Sequence, residues 1–184
     1  ASSSGGWPSD QTSARKISVN DIIVHAAAEA LRSYPDLNAH FIDRTLIRKP
    51  NIHIGIAVSV DDGLLVPVIS DTDARTLIEI SEISEKLIAD ARKGKIFPNQ
   101  TGTFTVSNLG MHGIELVFPI INPPECAILG VGGIEKRLVP LEGNTFGSRD
   151  FMKLSLACDH RVVDGVYGSA FLSEVRKNLE NFTL

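Results

Sequence analysis

The sequence is short of cysteine, of net basic charge and of long apolar runs, and each shortage argues against a class of protein. Only two of its 184 residues are cysteines. Both Cys126, in "ECAILGV", and Cys158, in "KLSLAC", lie in apolar stretches. That argues against a disulfide scaffold and for a reducing, intracellular compartment. The net charge is −4, whereas broad nucleic-acid binding needs a basic footprint, so no nucleic-acid partner is expected. No run of about 18 apolar residues is present, so no membrane span is expected. The N-terminus, "ASSSGGWPSD", has no apolar signal core and no initiator Met, and the expectation is a piece of a longer chain.

What remains is ordinary globular composition, 43% apolar and 22% charged, at a length that suits one sizeable core. Residues 1–16 read as a flexible Ser/Gly-rich arm and 17–184 as one domain. Ser18-x-x-Asp21 is a capping-box pattern, and Val19, Ile22, Ile23, Ala26, Ala27, Ala30 and Leu31 follow at helical spacing up to Pro35. His25 falls off that stripe. Ile52, Ile54, Ile56, Val58 and Val60 alternate with small or polar residues, His53 among them, and Asp62-Gly63 then signals a hairpin turn. A second helix carries Leu77, Ile80, Leu87 and Ala91 and ends near Gly94. Three strands follow, "GTFTVSN", "CAILGVGGIEKRLVP" and "DFMKLSLACDH", with "LEGNTFG" as the turn between the last two. A final helix carries Val166, Ala170, Phe171, Val175 and Leu179. The expected fold class is α/β, with helices layered on a mixed or mostly antiparallel sheet.

Within this frame one stretch invites chemistry, "CDHRVVDG" at residues 158–165. Four readings of His160 are open from spacing. It can be a bystander in the loop before a helix capped by Asp164. It can join Asp159 and Asp164 in a metal site, although no H-E-x-x-H or paired cysteines support one. It can pair with Cys158, although neighbours two apart on a strand point in parallel. It can be a general base, which needs a neutral ring, a fixed orientation and a donor for the developing oxyanion.

"DHRVVDG" resembles the H-R-x-x-D-G signature of the acyltransferase (E2) components of 2-oxo acid dehydrogenase complexes. The looser H-x-x-x-D-G pattern also occurs in chloramphenicol acetyltransferase. "SVND" (18–21), "DGLLVPVI" (62–69), "GTFTVSNLGMHGI" (102–114) and "INPPECAILGVG" (121–132) are similar to the family's other hallmark segments, in order. The "SNLGM" and "INPPECAIL" segments look most like the pyruvate-specific branch. The resemblance implies a chloramphenicol-acetyltransferase-like fold in trimers that build cubic or icosahedral cores. It implies acyl transfer between coenzyme A and a dihydrolipoyl group on a separate lipoyl domain, with no metal. The family's base falls on His160. The oxyanion-stabilising hydroxyl falls on Ser107 of a neighbouring subunit, and the motif aspartate that holds local geometry falls on Asp164. An ordinary thiol and an ordinary imidazole differ by about 2 pKa units, roughly 2.7 kcal/mol, so such a base faces a small uphill transfer. Coenzyme A contacts are not legible; Arg44, Arg48, Lys136, Arg137 and Arg161 are candidates by charge alone. The other complex components would be partners, in the mitochondrial matrix or the bacterial cytoplasm.

The likeness begins near Ile17. The helix and strand that usually open the family's domain are replaced by the Ser/Gly arm, and no lipoyl or peripheral-subunit-binding segment is present in the sequence. His112 stands where many pyruvate-type members have an aromatic residue. Two expectations follow: an active acetyltransferase core, or an E2-like core component of the protein X kind, with a binding role and little chemistry.

Overall fold

A computed structural model describes residues 17–61, 63–95, 97 and 101–183. The proposed arm at 1–16 and Asp62 of the hairpin turn lie outside them. Helix α1 (Val19–Leu31) starts as its sequence predicts: Ser18 and Asp21 form a reciprocal capping box. Helix α2 (Leu77–Arg92) has a second box, Thr76 with Glu79, and Gly94 follows it in the left-handed region at φ 76°. Helix α3 (Gly165–Glu180) is capped by Asp164.

The strands are β1 (Ala39–Ile42), β2 (Thr45–Arg48), β3 (Ile54–Ile56), β4 (Val58–Val60), β5 (Gly63–Leu65), β6 (Val68–Ile69), β7 (Phe104–Asn108), β8 (Ala127–Leu141) and β9 (Thr145–Cys158). Five form one mixed sheet in the order β6-β3-β7-β8-β9. Strands β3, β7 and β8 run parallel, and β6 and β9 run antiparallel at the edges. The expected hairpin at 51–70 is present but divided: β3 pairs with β6 in the main sheet, while β4 pairs with β5 in a separate ribbon.

Alternation along the strands assigns the two faces of the sheet. Ile54, Ile56, Phe104, Val106, Ala127, Leu129 and Val131 face the helices and join Ile23, Leu31, Ile80, Phe171 and Val175 in the core. Tyr34, Tyr167, Phe171 and Phe104 meet edge to face with centroids 5.3–5.6 Å apart, locking the start of α3 onto the end of α1 and the sheet. The last helix is rotated relative to its sequence reading. Phe171 and Val175 are buried as expected, but Val166 is 78% exposed and Ala170 is exposed, and Gly168 takes the inward place against Leu156.

The other face carries Thr105 and Ser107 on β7 and Gly130 on β8. The segment 113–119 crosses it, held by Gly133 N–H to the Ile114 carbonyl (2.8 Å) and by the Ser155 hydroxyl to the Val117 carbonyl. Gly132 makes this crossing possible, since a Cβ there would overlap the Glu115 carbonyl.

Candidate active site

His160 follows β9 in a tight turn. The Asp159 N–H bonds the Cys126 carbonyl at 2.8 Å, and the Asp159 carbonyl accepts from Val162 N–H (2.9 Å) and Val163 N–H (3.0 Å). The imidazole is therefore carried outward at the turn, exposed, and it makes no hydrogen bond within the chain among the described residues. Asp164 accepts the Tyr167 N–H at 2.8 Å, the bond of an N-cap. Losing it in Asp164→Ala should lower stability by about 1 kcal/mol, and Asp164→Asn should restore the melting temperature. A fall in turnover in the Asn variant, with its melting temperature restored, would assign the charge of the carboxylate a role in the site.

The alternatives for His160 separate on this geometry. Both carboxylates of the metal reading are committed, Asp159 to Arg161 (Nε–Oδ1 2.9 Å, Nη2–Oδ2 2.5 Å) and Asp164 to the helix. Cys158 packs against the core beside Gly168, and burial pushes its thiol pKa up, with Asp159 and Asp164 adding to the effect. Such a thiol is a poor nucleophile. Cys126 is fully buried and pushed up to about 11, chiefly by burial.

Ser107 is half-buried near the end of β7, and its hydroxyl has no hydrogen-bond partner among the described residues. The register fixes its distance from the histidine. Ser107 lies beside Gly130, and Gly130 beside Ser155; Cys158 lies beside Ala127, three residues back along β8. Two strand spacings and three residue rises separate Ser107 from Cys158 by about 14 Å, and His160 is two residues farther away. Within one chain the hydroxyl sits near the end of the central strand, and the base lies past the opposite end of the sheet, after the edge strand β9.

Four of the five basic side chains considered for coenzyme A have acidic partners: Arg48 with Asp36, Lys136 with Asp150, Arg137 with Glu115 and Glu135, and Arg161 with Asp159. Arg44 has none among the described residues, and it sits at the tip of the β1–β2 hairpin with φ 61°.

Two buried groups at the His160 edge escaped the sequence reading. His40 bridges to Glu125, and its Nε2 lies 2.7 Å from the Gly102 carbonyl; burial holds its pKa below the usual value. Glu125 accepts the Thr105 hydroxyl at 2.6 Å, and burial raises it to about 7. It also fills the space beside Gly102, where a Cβ would stand 2.5 Å from its Oε1. The folded state thus binds this proton more tightly than the unfolded chain. The favourable contribution is complete below about pH 4.5 and is lost as the pH rises toward 7, about 3 kcal/mol in all. Glu125→Gln should therefore gain stability relative to the parent at pH 8 and lose that advantage at pH 4.5. Paired urea melts at the two pH values check it; a difference independent of pH would contradict it.

The layered sheet and helices have the fold of chloramphenicol acetyltransferase, matched with a TM-score of 0.55 over 88% of this chain and 78% of that one; at 14% identity the likeness is of fold alone. The sequence matches the 2-oxoacid dehydrogenases acyltransferase (catalytic domain) family over residues 8–184, and the chain belongs to that family. It is 42% identical over 171 residues to the dihydrolipoyllysine-residue acetyltransferase component 3 of the mitochondrial pyruvate dehydrogenase complex of Arabidopsis thaliana, covering 91% of this chain and 32% of that one. The chain thus spans about a third of that relative's length. Two solved structures match with TM-scores of 0.84. One is the Azotobacter vinelandii dihydrolipoamide acetyltransferase, studied for the role of a serine, a histidine and an asparagine in its catalytic mechanism (37% identity, 90% of this chain and 70% of that one). The other is the cubic core of the pyruvate dehydrogenase multienzyme complex (36% identity, 90% and 70%).

Proposed function

We propose that the protein transfers an acyl group, in the first place acetyl, between coenzyme A and a dihydrolipoyl group on a separate lipoyl domain, as the core-forming component of a pyruvate-type 2-oxo acid dehydrogenase complex. One observation carries the reading: in a member of this family, an imidazole and a hydroxyl, each unpartnered among the described residues, lie toward opposite ends of one sheet, the hydroxyl on its central strand and the imidazole past its edge strand. Each is free to act, and neither can reach the other's substrate atoms alone. Copies arranged around a closed axis can bring the His160 turn of one to the Ser107 end of the sheet of the next. A trimer meets this need, and the likeness to a cubic core supports assembly of trimers into a larger shell.

In this reading neutral His160 accepts the proton of the attacking thiol, and the thiolate adds to the thioester carbonyl. Ser107 of the neighbouring subunit donates its hydroxyl to the carbonyl oxygen as negative charge gathers there. The same imidazolium then returns the proton to the departing thiolate, so the base is regenerated. Asp164 holds the start of α3 behind the turn. Spacing supports the assignment: the serine, histidine and asparagine of the Azotobacter protein lie 52 and four residues apart, and Ser107, His160 and Asp164 lie 53 and four apart. Relatives in mitochondria and in bacteria support a matrix or bacterial cytoplasmic location. The test is acetyl transfer from acetyl-CoA to free dihydrolipoamide by the purified protein. Measurable transfer above background is expected, and none above background would favour the core-component role.

A further inference from the structure

We propose that Arg161 is a positioning residue for His160, and that the ring of Phe41 is the platform that holds it. The inference rests on the assignment of His160 as the base. No side chain of its own chain bonds the His160 ring among the described residues, so the direction of the imidazole is set by its backbone. That backbone is clamped on both sides. Before it, Asp159 is pinned to β8 through the Cys126 carbonyl. After it, Arg161 returns to Asp159 by four bonds: its N–H to Oδ1 (3.0 Å), Nε to Oδ1 (2.9 Å) and Oδ2 (3.1 Å), and Nη2 to Oδ2 (2.5 Å). The guanidinium also lies over Phe41, its Cζ 4.3 Å from the ring centroid. Phe41 belongs to β1, whose place beside residues 122–126 is fixed by its own N–H to the Pro124 carbonyl (2.9 Å) and by the bridge from His40 to Glu125. The clamp therefore ties the histidine turn to a hairpin about 120 residues earlier in the chain.

The Arg161 side chain is 69% exposed, and ion pairs so exposed add little to stability. A displacement of about 1 Å at a reacting group, by contrast, costs about 10²-fold in rate. The clamp should thus be nearly silent in melting and visible in turnover. Lysine cannot replace arginine here, because one ammonium does not supply a planar fork that both grips a carboxylate and lies on a ring.

The experiment compares Arg161→Lys, Phe41→Leu and Phe41→Tyr with the parent in acetyl transfer, thermal melting and crystal structure. Arg161→Lys and Phe41→Leu should each lower kcat by about 10–100-fold with KM for coenzyme A unchanged, and Phe41→Tyr, which keeps the ring, should retain the parent rate. Crystals of the first two should show His160 displaced by about 1 Å or the turn disordered. A rise in KM for coenzyme A at constant kcat would make Arg161 a substrate contact and overturn the proposal. So would unchanged kinetics, or slow turnover with His160 in its parent position. If the parent itself transfers no acetyl group, the assigned function fails, and the position of His160 in the crystals still decides whether the clamp holds it.

Discussion

Replacing His160 by alanine is expected to cut acetyl transfer by about 10²–10⁴-fold, the usual loss with a general base. The melting temperature should hardly move. The imidazole is exposed and unbonded within the chain among the described residues, and a surface change away from caps and core stays within about 0.5 kcal/mol, or roughly 2 °C for a domain of this size. Turnover of His160→Ala equal to that of the parent, both above background, would remove the catalytic reading and leave the core-component one.

Ser107→Ala carries the second large effect. Loss of one oxyanion donor raises the barrier by about 2.7–4 kcal/mol, or about 10²–10³ in kcat. The hydroxyl acts where charge develops, so coenzyme A binding should be almost unchanged. Stability should hold too, because the hydroxyl bonds nothing within the chain among the described residues and its removal orphans no partner there. Coenzyme A affinity by calorimetry beside kcat separates the two roles. A loss of affinity equal to the loss of rate would make Ser107 a binding group.

Much of this was legible in the sequence because local chemistry and tertiary structure agree. Ser18 with Asp21 caps α1, Gly94 closes α2, and the three strands after Gly102 lie where alternation put them. The β1–β2 hairpin was not legible. Its turn is made by Asp43 and Arg44 at φ 48° and 61°, positions normally signalled by Asn-Gly or Gly, so no turn residue announced it. The clamp on His160 escaped with it, since Phe41 lies on that hairpin. Glu125 escaped for another reason: its unusual proton affinity comes from burial against Thr105 and Gly102, which only the fold brings together. The T-x-x-E box at Thr76 was readable and was the overlooked signal for the start of α2. Val166 was assigned inward by helical period, but period alone cannot say which of two apolar stripes faces the core.

The central claim is that base and hydroxyl act across a boundary between subunits. Its most direct test is co-expression of His160→Ala and Ser107→Ala chains carrying different tags, with purification of assemblies that hold both. Each variant alone should be nearly inactive. In a trimer that holds both chains, the boundary where a Ser107→Ala chain supplies His160 and a His160→Ala chain supplies Ser107 is intact, and it is one boundary of the three, about a third. Mixed trimers are expected to recover about a third of the parent activity. Activity no greater than that of the two variants measured separately would contradict it.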